Sequence, residues 1–199
     1  MTRHLGACCR PEASGLLLAS EKRPPAPSFH LAIEGRDARA YWMHVAVPVT
    51  APLSTLDDFL RHTWLECCGH LSAFEIGAKR YASDEEMSMR TRFSQVLEVR
   101  MKFLYEYDYG STTALVLKVV ALGERGLPQG AAQLLARNEA PQVSCQLCSN
   151  HPATQICTEC AWNGEGWLCE ACVVAHECGD EMCLPVVNSP RVGVCAYTG

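Results

Sequence analysis

From Tyr41 the chain alternates: Tyr41, Met43, Val45 and Val47 fall on one side and Trp42, His44 and Ala46 on the other, the period of two that marks a strand. Pro48 and Pro52 end the run. In PLSTLDDFLRHTWLECCGH the period lengthens, and Leu56, Phe59, Leu60, Trp64 and Cys67 form one helical stripe. Ser54 with Asp57 offers a capping-box-like start, and Gly69 a C-terminal stop. LSAFEIG, SQVLEV, MKFLYEYDYG and TTALVLKVVAL then return to strand patterning. Asp108, Gly110 and Ser111 are expected in the hairpin turn between the last two. This order predicts an α+β fold over residues 39–125: a small β-α-β unit plus an antiparallel hairpin, with the helix on one sheet face.

On either side the periodicity fails. Pro24, Pro25 and Pro27 in EKRPPAPS remove donors and fix extended backbone, which predicts a poorly ordered tail over residues 1–38. The Pro, Gly and Asn content of LPQGAAQLLARNEAPQ marks a linker over 126–142. Beyond it, residues 143–199 read as a second, small module patterned by cysteine.

Its centre, CQLCSNHPATQICTECAWNGEGWLCEACVVAHEC, has the spacing C-x2-C-x8-C-x2-C-x8-C-x2-C-x3-H-x-C. Eight donors follow: Cys145, Cys148, Cys157, Cys160, Cys169, Cys172, His176 and Cys178, enough for two closed tetrahedra. Thiolate and imidazole ligands at this spacing suit Zn2+. Twenty residues separate Cys148 from Cys169, which favours interleaving: Cys145, Cys148, Cys169 and Cys172 on one ion, and Cys157, Cys160, His176 and Cys178 on the other. The rival is sequential pairing, because Cys169, Cys172 and His176 fall at i, i+3 and i+7 of a helix. Cys183 is an alternative last ligand, and Cys195 and His151 are surplus. A module under about 60 residues needs such a staple to fold, and a site closed by four protein ligands leaves no position for reactive water, so both ions are expected to be structural.

Charge narrows the partners. The chain has a formal net charge of −5, and residues 141–199, with Arg191 as their one Lys or Arg against six carboxylates, carry all of it. Thiolate-bound zinc adds more negative charge, so phosphate is repelled and nucleic acid is not expected as a partner for this module. Lys79, Arg80, Arg90, Arg92, Arg100 and Lys102 could form a basic face on the first module, although scattered charges of this kind usually make a solvated one. No run of about 18 apolar residues exists to span a membrane. The apolar patch Gly15 to Ala19 is too short for a signal peptide, and 13 cysteines with three C-x-x-C pairs suit a reducing cytoplasm better than a disulfide framework. Cys8 and Cys9 are adjacent and are read as free thiols.

The cysteine spacing resembles B-box and related cross-braced zinc fingers over about 35 residues, which implies a protein-interaction role. The run YWMHVAVPVTAPLSTLDDFLRHTWLECCGHLSAFEI, with FLYEYDYGSTTALVLKVV, resembles the plasmid pRiA4b ORF-3-like (insertion-element passenger TnpR-like) family over residues 41–122. Members with a cysteine-rich extension ending in an LPVVNSPR-like stretch are similar throughout; here that stretch is Leu184 to Arg191. The resemblance implies a fold without a defined activity. The activated serine amid arginines that a serine recombinase requires is not visible.

Two other groups carry candidate chemistry. Cys67, Cys68 and His70, near His62, invite a third metal site or a Cys–His nucleophile, but a CC pair at the buried end of an amphipathic helix is expected to act as two small hydrophobes. Glu106 and Asp108, two apart on a strand, are expected on one face, as an acid–base pair or as solvated carboxylates. Trp162 and Trp167 flank the NGEG turn. These readings converge on a cytoplasmic zinc-binding adaptor with a protein partner. The alternatives are a nucleic-acid-associated accessory of mobile elements and an enzyme centred near Cys67 and His70.

Overall fold

The computed structural model describes residues 27–123, 127 and 131–199. The fold is α+β, as the patterning predicts. Seven antiparallel strands form the main sheet in the order β4-β3-β5-β6-β1-β2-β7. They are β1 (Ser28–Gly35), β2 (Trp42–Pro48), β3 (Ser72–Ile76), β4 (Lys79–Ala82), β5 (Lys102–Tyr107), β6 (Thr113–Gly123) and β7 (Gln133–Arg137). Helix α1 (Leu53–Leu60) continues as one wide π turn, Arg61–Leu65. Leu53, Leu56, Leu60, Trp64 and Leu65 join Leu31, Ile33, Met43, Val45, Phe74, Tyr105 and Leu117 in one core.

Three strands of the main sheet lie where the sequence suggested none: β4, which pairs with β3, and β1 and β7. Residues 28–35 belong to β1, which sits between β6 and β2 with Leu31 opposite both Val119 and Val45. Phe29, Leu31 and Ile33 face the core, while His30, Ala32 and Glu34 are half-buried on the other face, so the predicted tail is corrected here to a central strand. Residues 1–26, including Cys8 and Cys9, lie outside the described residues. Within the predicted linker, Gln133–Arg137 forms β7 and pairs with β2. Asn138 then closes the sheet edge by accepting the Trp42 amide on its side-chain oxygen at 3.0 Å.

The helix departs from expectation at both ends. Pro52 is the N-cap and no side chain caps it; Asp57 instead accepts hydrogen bonds from Arg61 Nε (2.9 Å), Ser72 Oγ (2.6 Å) and Tyr105 Oη (2.7 Å) beneath the helix. Burial of an apolar helix start and a multiply bonded carboxylate thus replaces the capping box. At the other end Glu66 is already extended, so the helix stops before Cys67. SQVLEV, expected as a strand, instead begins inside the short helix α3 (Phe93–Val96), which follows α2 (Glu86–Met89). Gln95 Oε1 accepts the Arg92 amide at 2.9 Å, and Phe93 is driven into the core. The predicted β5–β6 hairpin is present, with Asp108 at φ 66° and its Oδ1 accepting the Gly110 amide.

The cysteine-rich module carries a three-stranded sheet in the order β10-β8-β9: β8 (Gln155–Cys157), β9 (Trp167–Leu168) and β10 (Cys183–Pro185). Short helices α4 (Thr158–Ala161) and α5 (Glu170–Val173) follow Cys157 and Cys169, their respective N-caps. Past β10 the chain returns to the first module. Ser189 Oγ donates to the Trp64 carbonyl at 2.6 Å, and Asn188 and Asn138 exchange side-chain hydrogen bonds. Arg191 is fully buried, pairs with Asp108 at 2.8 Å and lies over the Tyr107 ring at 4.8 Å. The 143–199 segment therefore divides into a cysteine-rich body and a tail that docks on the α+β module.

Candidate metal centre

Among the described residues, three groups of Cys and His side chains place their ligand atoms within 4.8 Å of one another and could each hold a metal ion. Two are assembled from the eight donors read in the sequence, in the interleaved arrangement. Cys145 and Cys148 meet Cys169 and Cys172; Cys157 and Cys160 meet His176 and Cys178. Chain segments alternate between the two clusters, which is what cross-bracing means. Cys183 lies outside the second cluster, with its Sγ 3.8 Å from the Gly179 carbonyl.

Local turns build the first group. The Cys145 amide donates to the His151 carbonyl, and the Ser149 amide returns to the Cys145 carbonyl, folding 145–149 into a tight knuckle. The Gln146 amide donates to the Trp167 carbonyl and the Trp167 amide to Gln146 Oε1, which ties this knuckle to the strand leading into Cys169. In the second group the Cys157 amide donates to the Gly166 carbonyl at 2.9 Å. Gly166 has φ 92°, and a Cβ there would come within 2.8 Å of Cys160 Cβ, so only glycine fits against this knuckle.

Distances agree with tetrahedral ligand sets. Metal–sulfur bonds near 2.3 Å and metal–nitrogen bonds near 2.0 Å imply S···S edges of about 3.8 Å and S···N edges of about 3.5 Å. Cys148 and Cys169 sulfurs are 3.8 Å apart, Cys160 and Cys178 3.8 Å, and Cys160 Sγ lies 3.5 Å from His176 Nε2. In the first group, amides of Cys148 and its neighbours hold the Cys145 thiol down at about 6, while its hydrogen bond with Cys169, together with burial, pushes Cys172 up to about 12. In the second, burial opposes ionisation of Cys157, but the amide of Cys160 and the side chain of His176 outweigh it and hold the thiol at about 7. Burial and hydrogen bonds with Cys157 and Cys178 push Cys160 to about 12. Each group thus sets a thiol of lowered pKa beside one of raised pKa, and binding a cation would favour the thiolate form of both.

The third group was not foreseen as a unit. Cys67, Cys68 and His70 lie beyond the π turn, and Cys195 reaches them from the docked tail. Cys67 is half-buried and packs against the core, as expected of a small hydrophobe, but Cys68 is exposed because the helix ends before the pair. Asp108 faces His70 Nδ1 at 3.5 Å and bonds Arg191, whereas Glu106 turns to Arg36 and Arg80. The left-handed backbone at Asp108 breaks the strand alternation, so the two carboxylates do not form a pair. Cys195 carried one legible signal, being a cysteine left over once the eight module donors are assigned, in a chain whose distant CCGH run lacks a fourth donor.

Surface chemistry differs sharply across the cysteine-rich module. Glu159, Glu165, Glu170, Glu177, Asp180 and Glu181 are all exposed, and Arg191 has no exposure at all. Leu147, Trp162 and Val174 are exposed apolar side chains of the same module. A separate cavity of about 290 Å³ on the main sheet is lined by Glu34, Trp42, His44, Lys102 and Lys118, among others, and includes none of the clustered cysteines. No helix among the described residues is long and apolar enough to cross a membrane.

No family model matches the sequence, and no curated protein matches it. Among solved structures, the crystal structure of a protein of unknown function, MM3350 from Methanosarcina mazei Go1, is similar at 14% identity with a TM-score of 0.45. The likeness covers 54% of this chain, which spans 66% of the length of that one.

Proposed function

We propose that the protein is a non-enzymatic adaptor in which two structural zinc ions, one on Cys145, Cys148, Cys169 and Cys172 and one on Cys157, Cys160, His176 and Cys178, shape a docking module for a basic protein segment. One observation carries the reading: six carboxylates and the apolar side chains of Trp162, Val174 and Leu147 are all exposed on a module whose single arginine is buried. Aromatic and aliphatic anchors within a field of one sign suit a partner of opposite charge. Closed four-donor sets leave the metal a folding role. Kinship with the pRiA4b ORF-3-like proteins belongs to the same proposal and rests on residues 41–122; the nucleic-acid reading has less support, because the cysteine-rich module exposes no Lys or Arg.

The test has two arms. Purified full-length protein should hold zinc in the two module sites, and Cys160→Ser should remove one ion. Captured from its native host, full-length protein should retain a basic partner in a salt-sensitive manner, and a Trp162→Ser, Val174→Ser double variant with unchanged metal content should lose it. Identical capture by both proteins would overturn the docking reading.

A further inference from the structure

We infer that Cys67, Cys68, His70 and Cys195 form a third metal site, for a thiophilic divalent ion of the zinc class, which clasps the C-terminal tail to the α+β module. The two module sites brace one segment internally. This one joins residues 127 positions apart, Cys68 and Cys195, whose sulfurs lie 3.7 Å from each other.

The geometry is that of a ligand set. Cys68 Sγ is also 3.7 Å from Cys67 Sγ, and His70 Nε2 lies 3.5 Å from Cys195 Sγ and 3.0 Å from Cys68 Sγ. Sulfurs 3.7 Å apart are well beyond a disulfide bond of about 2.05 Å and match the edges of a thiolate tetrahedron. Both halves are held by groups outside the cluster. Gly69, at φ 81°, lets the chain reverse between Cys68 and His70, and Glu66 Oε1 fixes that reversal by accepting the Gly69 amide and the Tyr107 hydroxyl. On the tail side, Ser189 on the Trp64 carbonyl and Arg191 on Asp108 deliver Cys195.

Two neighbours fit a metal centre in particular. Asp108 Oδ1 faces His70 Nδ1 at 3.5 Å while the imidazole stands edge-on to Tyr107 at 88°, which orients Nε2 toward the sulfurs as carboxylates do behind metal-bound histidines. Arg191 Nη2 lies 3.5 Å from Cys67 Sγ, so a cation sits beside a set that, with a divalent ion and three thiolates, carries one negative charge. Cys68, His70 and Asp108 also follow the order of a thiol–imidazole–carboxylate triad. Two additional thiols at the same point, and Arg191 on the other oxygen of Asp108, favour an ion over a nucleophile. Cys68 and Cys195 are exposed, unlike buried Cys145, Cys157 and Cys169, so this ion is the first that a chelator reaches.

Arg191 supplies a built-in reporter, because it is the only Lys or Arg beyond residue 140 and is buried only while the tail is docked. Full-length protein should contain three metal equivalents, and Cys195→Ser and Cys68→Ser should each contain two. A limiting dose of chelator should remove one equivalent and accelerate tryptic cleavage after Arg191 by at least about tenfold, since proteolysis follows the open population. Cys195→Ser should be cleaved at that faster rate without chelator. Two equivalents in the unmodified protein, or three in both variants, would overturn the third site, as would rapid alkylation of Cys68 in fully metal-loaded protein. Loss of the adaptor reading is separable, because it shows in the two module equivalents or in partner capture and leaves the Arg191 reporter untouched.

Discussion

Replacing Arg191 with methionine keeps most of the stem volume and removes the guanidinium. Within the fold that group donates Nη1 to the Ser111 carbonyl (3.2 Å) and Thr113 Oγ1 (3.1 Å), donates Nη2 to Asp108 Oδ2 (2.8 Å), and stacks on Tyr107. A charge-assisted bond contributes about 1.5–3 kcal/mol and each neutral one about 1 kcal/mol. Against this stand the desolvation of a fully buried cation and an Nε with no partner. Removal of the guanidinium leaves Asp108, at 8% side-chain exposure, with the Gly110 amide and His70 but without its fixed cation, so Arg191→Met should cost about 3 kcal/mol of tail docking. Hydrogen exchange at the amides of Val192, Val194 and Tyr197, bonded to the carbonyls of Ser189, Arg191 and Val194, reads docking directly. Urea unfolding reads the coupled loss in the main sheet. A cycle with Asp108→Asn should return a coupling of about 2 kcal/mol. Exchange and urea midpoint within about 0.5 kcal/mol of the unmodified protein would refute the anchoring role.

Other consequences follow from single contacts. Asp57→Ala strips the shared acceptor from Arg61, Ser72 and Tyr105 and should lower stability by about 3 kcal/mol in a denaturant titration without changing metal content. Gly166→Ala puts a Cβ 2.8 Å from Cys160 Cβ in a left-handed backbone and should cost one metal equivalent by elemental analysis, from the Cys157 group alone. Cys178→Ser should also lose one equivalent, whereas Cys183→Ser should keep the full count, because Cys183 stands beside Cys157 but outside the four-donor group. Exhaustive chelation should unfold residues 143–185 and leave the core around Trp64 and Tyr105 intact by near-ultraviolet circular dichroism.

The cross-braced pairing was legible because ligand spacing is a local quantity: a loop of 20 residues between Cys148 and Cys169 carries the geometry within it. The β5–β6 hairpin was legible for the same reason, with strand periodicity on both sides of an Asp-Tyr-Gly-Ser turn. β1 was hidden in plain sight. FHLAIEG alternates as well as β2 does, but the proline cluster just before it outweighed the pattern. SQVLEV reads as a strand by composition, yet burying Phe93 beside α1 requires a helical turn there, which is a tertiary demand no window of six residues contains.

A single misplaced boundary had the largest functional consequence. Running the helix through Cys67 puts the CC pair on its apolar stripe, where two small hydrophobes are the natural reading. The π turn at Arg61–Leu65 widens the last coil so that consecutive residues Trp64 and Leu65 are both buried, and the backbone leaves the helix at Glu66. Cys68 is thereby turned toward the surface and His70 toward the tail, while Cys67 stays half-buried against the core. What joins them to Cys195 is not spacing but the buried Arg191–Asp108 pair and the Ser189–Trp64 bond, contacts between positions 83 and 125 residues apart. A site assembled by such contacts is written in the fold's long-range packing, so its ligands become recognisable only once the tail has somewhere to dock.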